Sequence, residues 1–359
     1  MSDNLRRLRV HAINNTLFLQ TTLSGALTRL GFVQADPIRS PATAQDLILR
    51  HRVKNYRAGD LERRYASLDI EEDYLYAYGF LPRHNWRLLH PRDTKNLVRL
   101  EKKVLDVVRA HGEMHPRQLE EHCGSERVVN AWGGYSKATT QALEDLHHRG
   151  LLRVVRRENG IRIYAATAPR AEEDLLSPEE RGTQLVMLLA TIFAPTPEKH
   201  LQSLRFSKPA SCSTRKALDS LIHSGQISRI LVDGVAYLYP PESSAAQDET
   251  EPRVVRFLAP FDPLVWDRAR FKMFWGWDYR FEAYTPVAKR VRGYYAMPLL
   301  WGDDIIGWAN ITSPKGAGAM TVDVGFTGRR PRDAAFRSAL EEEVERMRRF
   351  LSVDSLRFG

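Results

Sequence analysis

Apolar residues recur at helical spacing from about Leu100 to Ala110 and again, over a shorter run, from Pro116 to His122. A third helix is predicted from Ser136, as N-cap, to Arg149, with Gly150 as its C-terminal signal. Two β-branched runs, LLRVV and IRIYAA, flank Glu158-Asn159-Gly160, where Asn-Gly supplies the positive φ of a tight hairpin turn. Helix, helix, helix, hairpin is the order of a winged helix. The order returns in ERGTQLVMLLATIFA, PEKHLQSLRF, Ser213 to Ser224 closed by Gly225, and a hairpin hinged at Asp233-Gly234. Towards the N-terminus, helical spacing from Leu5 to Leu30 breaks at Ser24-Gly25, GFVQAD reads as a short strand and ATAQDLILRHRV as a helix, a third and more divergent winged helix. KNYRAGDLERRY and EEDYLYAYGFLPR continue it as loop and short helix.

APRAEEDLLSPEER and PPESSAAQDETEP have the composition of linkers. Beyond Arg253 the pattern turns to β in VVRFLAPFDPL, DYRFEAY, GYYAMPLLWGDDIIGWANI and AMTVDVGF, with a turn at Gly302-Asp303-Asp304. A small barrel or strongly curved sheet is expected, then a helix from about Arg332 to Leu351. The predicted fold is α+β. Its parts are a winged-helix-like domain over 1–99, winged helices over 100–168 and 178–240, a β-barrel domain over 253–330 and a C-terminal helix over 332–352.

With 359 residues, 43% hydrophobic and 27% charged, the chain is a multi-module globular protein and neither disordered nor fibrous. Its formal net charge of +9 favours a polyanionic partner, nucleic acid first. The surplus is local. Residues 1–100 hold 16 basic against 10 acidic side chains and residues 251–300 hold nine against five. Two distant cysteines, Cys123 and Cys212, build neither a disulfide framework nor a zinc site. The chain start lacks an apolar signal region, and the run Leu185 to Ala194 is far shorter than the roughly 20 residues that span a bilayer. A cytoplasmic, nucleoid-associated protein without a membrane segment is expected.

Metal and nucleotide signals are absent from the pattern. His147-His148 point apart on a helix, and His84, His90, His111 and His115 lack an i+4 partner. Gly133-Gly134 lacks the Lys-Ser/Thr pair of a phosphate loop, and no nucleophile elbow occurs. No metal and no cofactor are expected. What remains is Gln34-Ala35-Asp36, where strand alternation puts the amide and the carboxylate on one face. Such a pair can hold a water or oppose a developing positive charge. The same residues also fit a plainer role, Asp36 capping an Asp-Pro turn with Gln34 exposed.

Arg153, Arg156, Arg157 and Arg162 on a wing, Arg50, Arg52 and Lys54 after the helix that follows the motif, Arg39 just beyond it, and Lys289, Arg290 and Arg292 in the barrel segment are candidate phosphate contacts or solvated charge. The aromatic group Phe271, Phe274, Trp275, Trp277, Tyr279, Phe281 and Tyr284 fits barrel core, with base stacking as the other reading.

GFVQADPIRSPATAQDLILRHRV, YGFLPR, APFDPLVWDRARFKMFWGWDYRFEAY and AKRVRGYYAMPLL together resemble the AlkZ/YcaQ family of bacterial DNA glycosylases, from about residue 10 to 325. The resemblance implies three tandem winged helices and a β-barrel closing into a C-shape around DNA. It also implies excision of bases alkylated at purine N7 and, in some members, unhooking of interstrand crosslinks. Gln34-Ala35-Asp36 is similar to the Gln-x-Asp motif of the YcaQ-like branch, which makes Asp36 the catalytic carboxylate and Gln34 its partner in placing water. An N7-alkylated guanine already carries positive charge and needs no general acid, so one carboxylate suffices. With no lysine near the motif, a monofunctional enzyme acting as a monomer on alkylated double-stranded DNA is expected. Pro37, Thr43, where relatives often carry arginine, and Gly307-Trp308-Ala309-Asn310 depart from the family pattern. A non-catalytic DNA-binding regulator and an adduct-shielding protein remain as rivals, separated by whether Asp36→Asn abolishes an excision activity.

Overall fold

The structure, a computed structural model, describes residues 3–92, 96–129, 135–168, 176–241, 253–314 and 318–358. Along the chain run α1 (Asp3–Thr16), α2 (Leu23–Leu30), β1 (Val33–Gln34), α3 (Ala44–Leu49), α4 (Asp60–Arg64), β2 (Ile70–Tyr74), β3 (Tyr78–Pro82) and α5 (Arg83–Trp86). There follow α6 (Arg99–His111), α7 (Pro116–Cys123), β4 (Arg127–Val129), β5 (Tyr135–Lys137), α8 (Ala138–His148), β6 (Leu152–Glu158) and β7 (Ile161–Ala166). Next come α9 (Pro178–Ile192), β8 (Thr196–Pro197), α10 (Glu198–Ser203), α11 (Thr214–His223), β9 (Ser228–Val232) and β10 (Val235–Tyr239). The chain ends with β11 (Val255–Phe257), α12 (Pro263–Trp266), α13 (Arg268–Trp275), β12 (Met297–Trp301), β13 (Asp304–Thr312), β14 (Ala319–Phe326), α14 (Ala334–Leu351) and β15 (Ser355–Phe358). The sequence from α6 to β7 and that from α9 to β10 each place a hairpin after three helices. Both turns sit in the left-handed region, at Asn159-Gly160 (φ 52° and 82°) and Asp233-Gly234 (φ 50° and 78°), which twists a two-residue loop the way the strands twist. Most of the two linker stretches, and Gly133-Gly134, lie outside the described residues.

Two compact units divide these elements. One comprises Met1–Asp60, Met187–Leu204 and Leu218–Gly359, the other Leu61–Val186 and Arg205–Ala217. The first is built on a curled five-stranded half-barrel sheet in the order β11-β12-β13-β14-β15, antiparallel except for the parallel pair β14–β15. A register shift between Leu299 and Leu300 tightens its curl. The β12–β13 turn is tighter than the pattern predicts, because Trp301 pairs with Asp304 and leaves only Gly302-Asp303 in the loop. Arg6 and Arg9 of α1 grip that turn at Asp303 (2.8 and 3.2 Å). On the same helix, Leu8 and Ala12 enter a core shared with Leu258, Leu264, Phe271 and Phe274.

Several predicted elements are corrected. Helical spacing breaks at residues 17–22 and not at Ser24-Gly25, since Thr22 is the N-cap of α2 and accepts the Gly25 N–H at 3.1 Å. Ser136 lies in β5, and α8 begins at Ala138. PFDPL is no strand: Asp262 caps α12 through the Leu264 N–H and Asp267 caps α13 through the Arg270 N–H, so two short helices replace it. DYRFEAY contains no strand either. Phe271, Phe274, Trp277 and Tyr279 are buried core, while Tyr284 is 81% exposed.

In the second unit the core of α6, α7 and α8 under the β6–β7 hairpin is Val104, Val108, Leu119, Leu143, Leu146 and Val154. Its hairpin β2–β3 carries three almost fully buried carboxylates, Glu71, Glu72 and Asp73. Charges so buried require partners. Arg153 meets Glu71 (2.8 Å), Arg157 bonds Glu72, and Trp86, His90 and Arg92 converge on Asp73 at 2.8 to 3.0 Å.

Candidate active site

Gly31 ends α2 with φ 70°, its N–H on the Leu27 carbonyl, and turns the chain into β1. Phe32 and Val33 are each 1% exposed and fix the strand, so the motif is anchored at its start. Pro37 carries no N–H, and one oxygen of Asp36 reaches across it to accept the Ile38 N–H at 2.9 Å. Gln45, in the first turn of α3, accepts the Asp36 N–H at 3.4 Å. The turn-capping role that spacing allowed for Asp36 is therefore present, but it occupies only Oδ1. Oδ2 has no hydrogen-bond partner among the described residues. Partial burial raises the Asp36 carboxyl above the usual aspartate range, with the Ile38 N–H opposing it. Gln34 is not exposed: its Oε1 is buried and unpartnered among the described residues.

The helix behind the motif is bolted in place. Asp46, 7% exposed, accepts from Thr43 Oγ1 (2.8 Å), Tyr56 Oη (2.7 Å) and the Gly59 N–H (3.1 Å). Sequence reasoning passed over Asp46; a carboxylate flanked by the apolar positions Ala44, Leu47 and Ile48 was the available signal. Arg50, His51 and Arg52 follow, all buried. Arg50 pairs with Glu343 (2.5 Å), His51 Nε2 bonds the Phe257 carbonyl (2.9 Å), and Arg52 makes a two-pronged pair with Asp262 (2.8 and 3.0 Å). Burial, then the Arg50, Arg346 and Arg256 charges, keep His51 well below the usual histidine range and so neutral. For Glu343, burial pushes upward, but Arg50, Arg346, Arg256 and the Phe257 N–H outweigh it and the carboxyl is lowered.

Arg50 and Arg52 are thus corrected from candidate phosphate contacts to internal ties between the motif's helix and the half-barrel unit. Both side chains are spent on protein carboxylates and present no surface to a ligand. Arg39 and Lys54 are exposed. Arg153, Arg156 and Arg157 lie in the second unit, ion-paired with Glu71, with Glu113 and Glu158, and with Glu72 respectively. Arg162 stacks over Tyr78 at 4.5 Å. These arginines are partly exposed, and a phosphate there competes with carboxylates already in place.

The segment from Tyr284 to Tyr294 forms a basic and apolar loop. Glu282, buried, accepts the N–H groups of Val291, Arg292 and Gly293 on one oxygen at 2.9 to 3.1 Å, which fixes the loop's shape. Burial works against ionisation of Glu282, but those three donors hold its carboxyl below the ordinary range. Outward from this nest stand Tyr284, Val287, Val291 and Tyr294, with Lys289 exposed and Arg290 over the Tyr294 ring at 5.0 Å. Arg292 turns inward between Trp277 and Trp308 (4.9 and 5.6 Å), and Asn310 bonds its carbonyl at 2.6 Å. The residues that depart from the family pattern at 307–310 therefore hold the loop's inner end. Gly307 has its own reason, since a Cβ there would meet the Gly325 carbonyl at 2.1 Å.

Among the described residues no group of three or more His, Cys, Asp or Glu side chains is gathered as a metal ion would require, and no helix is long and apolar enough to cross a membrane. A carboxylate and an amide with free acceptor oxygens, in one unit with an exposed basic loop, define the class: a hydrolytic site in a protein directed at a polyanion. The comparisons narrow it. A family model for AlkZ-like DNA glycosylases matches residues 27–350, and the chain belongs to that family. The fold is similar to that of the DNA glycosylase AlkZ of Streptomyces sahachiroi, with a TM-score of 0.66 at 15% identity over 100% of both chains. DNA glycosylase activity in DNA repair, with DNA as partner, is the role this membership supports.

Proposed function

We propose that the protein hydrolyses the N-glycosidic bond of N7-alkylated purines in double-stranded DNA, with Asp36 and Gln34 at the reacting centre. The observation that carries this reading is the free Asp36 Oδ2 beside the unpartnered Gln34 Oε1, two acceptors that together take both protons of one water. The water's oxygen forms the new bond to the anomeric carbon, and the C1′–N9 pair leaves with the purine and neutralises its charge. Asp36 takes the water's proton and, as a carboxylate, opposes the positive charge on the sugar. No general acid is required for a leaving group that is already cationic.

The first lysine of the chain is Lys54, so no amine is at hand within the motif segment for Schiff-base chemistry, and the product is an abasic site in an unbroken strand. Lys289 and Arg290, with Arg39 and Lys54, supply phosphate contacts, and the exposed Tyr284, Val287 and Val291 give the loop an apolar edge suited to a groove. The tandem winged helices, the monomeric cytoplasmic state and the unhooking of crosslinks by the same hydrolysis at an alkylated N7 belong to this proposal. The test is mass-spectrometric detection of free 7-methylguanine from a duplex bearing one such base. Release without strand cleavage supports a monofunctional glycosylase; a cleaved strand before alkali treatment, or binding without release, overturns it.

A further inference from the structure

Tyr295, immediately before β12, is 2% exposed, and its Oη is buried without a hydrogen-bond partner among the described residues. An unpaired buried hydroxyl costs about 1 to 3 kcal/mol, so its retention asks for a reason. Its neighbour Tyr279 shows that the local backbone can satisfy a phenol: there Oη donates to the Ala296 carbonyl at 2.7 Å. The Tyr295 ring is not free to turn away, since it stands edge-on against Phe281 with centroids 5.3 Å apart. Burial first, and the Asp36 carboxylate next, push the phenol well above its ordinary range. Two consequences follow. Tyr295 and Asp36, far apart in sequence, face each other closely enough to interact, and the phenol keeps its proton at neutral pH.

Three polar groups of one unit thus have unused capacity around one place: Asp36 Oδ2 and Gln34 Oε1 accept, and Tyr295 Oη donates. A water has two protons and two lone pairs in a tetrahedral arrangement. With its protons on Asp36 and Gln34 and one lone pair taken by a donor, a single lone pair remains, and its direction is fixed. We propose that the Tyr295 hydroxyl is a third catalytic group, donating a hydrogen bond to the attacking water and aiming its remaining lone pair at the anomeric carbon. The inference rests on the proposed roles of Asp36 and Gln34.

Tyr295→Phe removes the hydroxyl and keeps the ring. Single-turnover excision from a duplex with one N7-methylguanine is expected to fall roughly 10- to 100-fold, the scale of losing orientation of a reacting group. DNA affinity stays within about two-fold, and the thermal midpoint holds or rises, because the variant deletes an unpaired buried hydroxyl. A full excision rate in Tyr295→Phe, with Asp36→Asn inactive, overturns the role of Tyr295 alone. Parallel loss of rate, DNA affinity and thermal midpoint makes the hydroxyl structural and also overturns it. Retained excision in Asp36→Asn instead overturns the reading on which it rests.

Discussion

Replacing Arg52 by methionine tests whether the arginines after the motif are internal ties or DNA contacts. The guanidinium donates to both oxygens of Asp262 at 2.8 and 3.0 Å, to the Thr16 carbonyl at 2.7 Å and to the Ile48 carbonyl at 2.6 Å. Neither side chain of the pair has any exposure. Methionine fills much of the space but leaves the Asp262 carboxylate buried without its counter-charge, which costs about 3 to 5 kcal/mol. Asp262 also caps α12 through the Leu264 N–H at 3.1 Å, and asparagine keeps that cap. The double variant Arg52→Met with Asp262→Asn removes both charges and should recover a large part of the loss. Urea denaturation of the full chain reads the effect as a lower midpoint with little change in slope for Arg52→Met, and a partial return for the double variant. A single-variant loss under about 1 kcal/mol, joined to a weaker salt dependence of DNA binding, would refute the reasoning and return Arg52 to the phosphate contacts.

Lys289→Ala and Arg290→Ala should leave the thermal midpoint in place and each lower the slope of log affinity against log salt by about one, as measured by anisotropy titration on duplex DNA. Glu282→Gln removes the charge that three loop N–H groups share, so DNA affinity should fall while the midpoint drops by only a few degrees. Because the Asp36 carboxyl is raised in the folded state, the excision rate should climb with pH through a midpoint above the ordinary aspartate value and then level off; a midpoint at or below that value contradicts the burial argument. By the same sign, fold stability declines as pH rises through that window, and Asp36→Asn should melt no lower than the unmodified protein at neutral pH.

Much of the architecture was legible because its signals are local. Helical spacing placed α6, α7 and α14 to within a residue or two, and Asn-Gly and Asp-Gly placed both hairpin turns. Aromatic density misled in the segment that forms α12 and α13, although Asp262, Asp267 and Gly276 are ordinary cap residues for two short helices. Gln34 and Asp36 were found by strand alternation, but the strand ends at Gln34 and the turn at Pro37 brings the carboxylate round.

Charge counting failed most instructively. Arg9, Arg50, Arg52 and Arg270, all from the two basic segments, are buried, so part of the surplus never reaches the surface. A count cannot separate a solvated arginine from a buried one. Its partners were readable: Glu343 sits in the apolar stripe of α14 with Leu340, Val344 and Met347, and Asp262 sits inside PFDPL. Acids in such places announce a buried cation. The approach of Tyr295 to Asp36 depends on tertiary packing alone and left no trace in the pattern.

The most direct measurement is single-turnover excision by the full chain and its Asp36→Asn variant, on a duplex with one N7-methylguanine, read as alkali-labile cleavage with binding measured alongside. The account predicts cleavage by the unmodified protein and a loss of about 100-fold or more in the variant, with DNA affinity retained. Equal cleavage by the two proteins would contradict it.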